Sequence, residues 1–211
     1  MKASNWLNLL LGAGVVIMAI MLFLNKTDME NTQEKKQMNS NAALDCIMSR
    51  TSIREYTDRQ VPDSVVETLL KAGMAAPTAM NKQPWEFIVV TDAKTREAIS
   101  KADMYIRAKE APLVIIACGN LNKEEDGPGA DFWVQDVSAA TENILLAAHA
   151  QQLGAVWCGI YPIKDRVEAL SHILGLPPHV IPLSAICIGY PKTEHHPKNK
   201  WNPAAVHYGK F

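Results

Sequence analysis

Apolar positions along the chain alternate between a spacing of three to four residues and short unbroken runs. After Pro62, Val65, Val66, Leu69 and Leu70 recur at helical spacing. The fixed φ of Pro62 suits a first helical turn, and Asp63 and Glu67 suit its positive end or exposed face. Residues 85–91 (WEFIVVT) are rich in β-branched and aromatic side chains and predict a strand. Residues 93–102 read as a helix, and the nearly all-apolar run 111–118 (APLVIIAC) as a strand buried on both faces. The longest helical pattern covers residues 131–153, where Trp133, Val137, Ala140, Ile144 and Ala148 repeat and Gly154 supplies a stop. Leu145, Leu146 and Ala147 widen that stripe, so this helix is expected to be covered on more than one side, by the core or by a partner subunit. A short strand over 155–160, a helix over 164–174 stopped by Gly175, and a strong strand over 181–190 (IPLSAICIGY) follow. Near the start of this region, residues 42–50 predict a short helix with Leu44, Ile47 and Met48 on one side. Helices and strands mix with few tight hairpin signals, which argues for an α+β sandwich with helices covering a central sheet.

The first forty residues follow a different pattern. Residues 6–24 (WLNLLLGAGVVIMAIMLFL) carry no charge and only Asn8 as a strongly polar side chain. As a helix at ~1.5 Å per residue this run would be roughly 28 Å long, close to the hydrocarbon thickness of a bilayer. It predicts an N-terminal transmembrane helix, residues 1–24, anchoring the protein to a membrane. A cleaved signal peptide is the competing reading, but the run ends Met-Leu-Phe-Leu-Asn-Lys without a small-x-small cleavage site. Lys2 precedes the run and Lys26, Lys35 and Lys36 follow it, so the side of the membrane is left open. Residues 25–41 are polar apart from Met29 and Met38 and read as a linker, which leaves 42–211 as one folded domain.

Composition narrows the function classes. The chain is 48% hydrophobic and 20% charged with a net charge of -1, which suits a globular protein and lacks the basic excess that nucleic-acid binding requires. Cys46, Cys118, Cys158 and Cys187 form no C-x-x-C pair and no zinc-like spacing with histidine, so buried reduced thiols are expected and no metal site. His149 reads as a packed helix residue, and His195 and His196 as part of a solvated turn.

Two segments carry candidate chemistry. In Arg50-Thr51-Ser52-Ile53-Arg54, two guanidinium forks and two hydroxyls match the acceptor oxygens of a phosphate monoester, although such spacing also arises on ordinary exposed surfaces. The segment 75–85 (AAPTAMNKQPW) has two prolines that restrict its backbone. Asn81 and Gln83 each offer a donor and an acceptor that could address a heteroaromatic edge, or could belong to a polar loop. The charged turn 123–129 is the expected surface loop or lid, with Tyr105 and Arg107 as candidate gates.

Together these segments resemble the FMN-dependent nitroreductase family. RTSIREY and APTAMNKQPWEF stand in that family's order and spacing. So do GAVWCGI (154–160), ICIGYP (186–191) and the C-terminal KNK (198–200) followed by VHY (206–208). The resemblance spans nearly all of 42–211. It implies a three-layer sandwich with a central, mainly antiparallel sheet flanked by helices, and a homodimer with FMN at the subunit interface. Arg50, Ser52 and Arg54 match the family's phosphate and ribityl contacts. Pro77, Thr78, Ala79, Asn81 and Gln83 match the loop that reaches FMN from the other subunit. Trp157, Cys158 and Gly159 match the segment against the isoalloxazine, and Lys198 or Lys200 a basic phosphate contact, where the family usually has arginine. It further implies an NAD(P)H-dependent, ping-pong reduction of nitroaromatics, quinones or similar acceptors, with no catalytic side chain because the flavin carries the chemistry. No G-x-G-x-x-G loop is present, so NAD(P)H is expected to bind transiently over the flavin. Enone reduction, dehalogenation and a non-catalytic membrane-tethered flavin protein are the alternatives. The short 106–131 segment speaks against a dehalogenase lid.

Overall fold

The computed structural model describes residues 18, 21–23, 26, 41–123 and 129–211. Two compact units are distinguished, Met1–Asp45 and Cys46–Phe211; the sheet, the core and every candidate site residue belong to the second.

Among the described residues from 42 onward, five α-helices and four strands follow in the order α1 (Ala42–Ser49), α2 (Asp63–Met74), β1 (Trp85–Val90), α3 (Ala93–Ala102), β2 (Leu113–Asn120), α4 (Phe132–Ala150), β3 (Gly154–Gly159), α5 (Lys164–Leu174) and β4 (Val180–Gly189). The sheet order is β1-β2-β4-β3, with every neighbouring pair antiparallel. The unbroken apolar run of β2 is explained by its central place. Val114, Ile116 and Cys118 enter one core layer with Ile99 of α3 and Leu170 of α5. Leu113 and Ile115 enter the opposite layer with Leu69 of α2 and Ile144 of α4. On β4, Ala185 and Cys187 face the first layer and Ile186 and Ile188 the second. Side chains on a strand alternate faces, so a sheet with helices on both sides needs apolar residues at every position. The expected three-layer α+β sandwich with an antiparallel sheet is what the chain forms.

Local chemistry sets several element ends. Pro62 is the N-cap of α2 (φ -63, ψ 146), one residue ahead of the first turn. Asp92 caps α3 by accepting the Thr95 N–H. Gly175 ends α5 in the left-handed conformation at φ 64, as expected. The end of α4 differs from expectation: the left-handed residue is Gln152 (φ 60), and Gly154 already belongs to β3. A Cβ on Gly154 would lie 2.6 Å from Ile53, so this glycine permits close approach of the Arg50–Arg54 segment and does not stop a helix.

The N-terminal expectation is corrected. A membrane-crossing helix needs about 20 consecutive apolar residues, and among the described residues no helix is long and apolar enough to cross a membrane. The longest described helix, α4, has 19 residues and carries Asp136, Glu142 and Asn143. Most of the run 6–24 and of the linker 25–41 lies outside the described residues; Met18, Met21, Leu22 and Phe23 are helical and exposed. The membrane-anchored localisation therefore does not stand.

Candidate functional site

The expected site residues fall into three groups. The first is built where the motif segment docks on the sheet edge. Ile53 N–H donates to the Ala155 carbonyl (3.0 Å), and Ser52 bridges Ala155 in parallel fashion, so 52–53 extend the sheet beside β3. Tyr56 secures this arrangement. Its buried hydroxyl lies 2.6 Å from the Ile53 carbonyl and 2.9 Å from that of Cys187, and burial pushes the phenol well above its ordinary pKa, so it remains a donor. With Ile53 and Tyr56 turned inward, Arg54 and Ser52 are exposed. Arg54 then lines a cavity of about 340 Å³ with Trp157, Cys158 and Gly159 from the end of β3, joined by Tyr105, Ile106, Val156 and Arg166.

The half-buried Cys158 at this cavity lies against Cys187. The Cys187 thiol donates to the Cys158 sulfur, which lowers the pKa of Cys158, aided by the Arg107 backbone N–H and the Arg54 charge and opposed by burial. Cys187 is shifted the other way by the same bond and by its burial. Cys118 is buried, and its thiol is pushed up to about 12 by desolvation. All four cysteines are free thiols.

The second group brings together residues far apart in sequence. Arg50, Lys198 and Lys200 line one cavity of about 580 Å³, with Ile47, Met48 and Trp201 supplying apolar walls. Glu142 of α4 pairs with Arg50 at 3.2 Å, holding a guanidinium whose side chain is 18% exposed. Three cations around one opening, one of them already oriented by a carboxylate, form a donor set suited to a phosphate group.

The third group is the loop 77–83. Pro77, Thr78 and Ala79 line a separate cavity of about 330 Å³ with Phe132, Gln135 and Asp136 of α4. The loop is conformationally costly: Met80 (φ 47), Asn81 (φ 57) and Gln83 (φ 49) all lie in the left-handed region without being glycine. Gln83 Nε2 donates to Asn81 Oδ1 (3.0 Å), and Thr78 Oγ1 accepts the Gln83 N–H (3.2 Å), so the two amides orient each other. Lys123 Nζ reaches the Gln83 and Trp85 carbonyls at 3.4 Å and pairs with Glu86 at 2.9 Å. Asp136, only 6% exposed, accepts the Ala79 N–H with both carboxylate oxygens at 3.1 Å.

One chain thus assembles Arg54 with Trp157, Cys158 and Gly159, and Arg50 with both lysines, but it places Pro77, Thr78 and Ala79 at a different opening, and Asn81 and Gln83 line none of these three cavities. Two contributors were not anticipated. Asp136 had a legible signal, a charge on the buried stripe between Trp133 and Val137. Arg166 had none, because a lone arginine on the polar side of α5 resembles any solvated residue. The expected lid, 123–129, lies mostly outside the described residues, and Lys123 braces the 77–83 loop.

A three-layer sandwich with a cation-lined opening beside an edge-docked arginine segment defines a class of protein, and comparison with known proteins places the chain within it. The family model described as Nitroreductase family matches residues 47–106 and 105–190, and the chain belongs to that family. A Methanothermobacter thermautotrophicus protein, provisionally named a NADH dehydrogenase/NAD(P)H nitroreductase, is 43% identical over 169 residues, covering 80% of this chain and 87% of that protein. A Parabacteroides distasonis crystal structure with the same provisional name superposes with a TM-score of 0.78 at 40% identity, covering 82% of this chain and 100% of the other. A Desulfovibrio desulfuricans protein, provisionally a nitroreductase and solved in complex with FMN, superposes with a TM-score of 0.73 at 31% identity, covering 82% and 99%.

Proposed function

We propose that this chain is an FMN-dependent oxidoreductase that passes electrons from NAD(P)H to nitroaromatic, quinone or similar small acceptors by a ping-pong mechanism. The observation that carries the reading is the cationic opening formed by Arg50, Lys198 and Lys200, with Arg54, four residues after Arg50, lining a second cavity beside Trp157, Cys158 and Gly159. These cations fit the close to two negative charges of the FMN phosphate. Ser52 and Arg54 would hold the ribityl side, and the Trp157–Gly159 backbone would lie against the ring system. Pro77, Thr78, Ala79, Asn81 and Gln83 would reach the flavin of a second subunit. When bound, FMN supplies a two-electron carrier between nicotinamide and acceptor. The protein's part is to bind, orient and exclude water, so no side chain is assigned a catalytic role.

The same layout supports a homodimer with FMN at the subunit interface. Pro77, Thr78 and Ala79 line a different cavity from the arginine groups of their own chain, and a second copy would bring both kinds of contact to one flavin. Trp201, Val206, Tyr208 and Phe211 stand exposed along the C-terminal segment, apolar surface that a second subunit would cover. The flavin domain is assigned to 42–211, with 25–41 as a polar linker.

An absorbance spectrum of the purified protein, before and after anaerobic NADH or NADPH, tests the reading. A flavin spectrum that bleaches with either donor and returns on adding para-benzoquinone is expected. A colourless protein that stays colourless with added FMN overturns it. Size-exclusion chromatography with light scattering tests the dimer, and a monomer that retains FMN would refute the interface site.

A further inference from the structure

We propose that Arg166 makes this site selective for acceptors that carry an anionic substituent, a carboxylate or sulfonate on a planar aromatic or quinone ring. The inference rests on the flavin reading above and names the substrate class for that site.

Arg166 is half-buried and lines the same cavity as Arg54, Cys158 and Gly159. It is held from two sides. Its Nε forms an ion pair with Asp103, whose side chain is 9% exposed, and its Nη1 donates to the Gly159 carbonyl at 2.8 Å. Asp103 is itself placed by accepting the Tyr105 N–H at 2.7 Å. The guanidinium therefore ties the end of β3, helix α5 and the 103–106 turn together, and little freedom remains to be lost on binding a ligand. A guanidinium has five donors, and these two bonds do not exhaust them. Asp103 occupies one edge, and no carboxylate is among the described residues that line the cavity. Arg54 has no ion pair among the described residues and is committed to the flavin in the reading above. The guanidinium donors left for a second ligand are those of Arg166, whose charge Asp103 partly offsets.

The Arg166 guanidinium carbon lies over the Tyr105 ring, 5.4 Å from its centroid, and Tyr105 is 72% exposed. An exposed aromatic face next to a fixed fork matches a flat ring bearing an anion: the ring packs on Tyr105 and the anion meets the guanidinium. A phosphate of the nicotinamide donor offers similar anionic chemistry, so both half-reactions must be read.

The experiment uses the full-length, flavin-loaded protein in stopped-flow half-reactions. The oxidative half-reaction compares para-nitrobenzoate with neutral para-nitrobenzyl alcohol, and the reductive half-reaction compares NADPH with NADH. The expected result is that R166Q lowers the ratio of anionic to neutral acceptor rate constants about tenfold, with R166K recovering part of it because charge without the fork is less specific. In the wild-type protein, raising NaCl from about 10 mM to about 300 mM should erode the same ratio, a readout that holds even if R166Q fails to fold around Asp103. An unchanged ratio in soluble, flavin-loaded R166Q overturns the proposal. So does a change confined to the donor half-reaction, which would assign Arg166 to a nicotinamide phosphate, or a wild-type ratio indifferent to salt. Failure of the flavin reading looks different: no bound FMN, or no bleaching by either donor before any acceptor is added.

Discussion

The substitution Asp136→Ala probes how the fold holds a costly loop in its binding shape. Met80 and Gln83 occupy the left-handed region at about 1–2 kcal/mol each, and Asn81 costs less because its short polar side chain tolerates that region. Among the contacts that oppose this strain, the most buried is charge-assisted: the Ala79 N–H shared by both oxygens of a carboxylate that is 6% exposed. Such a contact contributes about 1.5–3 kcal/mol, which is close to the strain it opposes. Without it the binding-competent loop falls from the dominant conformer to a minor one. The apparent FMN dissociation constant should then rise by roughly 10- to 100-fold, following the competent fraction. Asp136→Asn keeps an acceptor oxygen in place and should lose only about 3- to 10-fold. Titration of FMN fluorescence with apoprotein measures both. No cation pairs with Asp136 among the described residues, so its removal also relieves a buried charge, and the thermal midpoint should change little. If Asp136→Ala binds FMN within about twofold of wild type, the carboxylate is not what holds the loop, and the reasoning fails.

Other substitutions test the docking of the motif segment and the packing beneath it. Tyr56→Phe keeps the buried ring but removes the hydroxyl that bridges the Ile53 and Cys187 carbonyls. It should cost about 1–2 kcal/mol and lower Tm by roughly 3–6 °C in calorimetry, and an unchanged Tm would show that the hydroxyl is dispensable. Iodoacetamide labelling followed by peptide mass spectrometry should modify Cys158 with an inflection below the ordinary thiol value of 9.0, because its pKa is lowered and the thiolate persists to lower pH. Cys118, pushed up to about 12, and the buried Cys187 should stay unlabelled in the same native sample; labelling of Cys187 ahead of Cys158 would reverse the assignment. Gly119→Ala places a Cβ 2.2 Å from Trp133 Cε3, inside a packed cluster with Trp85 and Leu183. A loss of about 3 kcal/mol or failure to accumulate folded protein is expected, and a wild-type denaturation midpoint would mean that α4 can shift freely.

The elements were largely legible along the chain because their signals are local. The helical recurrence of Val65, Val66, Leu69 and Leu70 and the two-sided apolar run of β2 reappear as α2 and the central strand. The order β1-β2-β4-β3 was not legible, since pairing depends on which strands meet across long separations and not on any strand's composition. Glycines show the same division. Gly175 ends a helix for a backbone reason visible in one segment, whereas Gly154 serves contact with Ile53, a residue about a hundred positions earlier. The apolar run 6–24 reads as a span on composition alone, yet no described helix supplies the length and apolarity a crossing requires.

The site divides along the same line. Arg50, Ser52, Arg54 and the 77–83 loop could be named from residue type and spacing, because phosphate and heteroaromatic recognition draw on few side chains. That Arg50 shares an opening with Lys198 and Lys200, that Asp136 clamps Ala79, and that Arg166 leans on Asp103 beside Tyr105 were decided by the tertiary structure. Each of these depends on segments far apart in the chain being brought within a few ångströms by burial of the shared sheet. Sequence specifies which groups are present, and packing around that sheet determines which of them face one another.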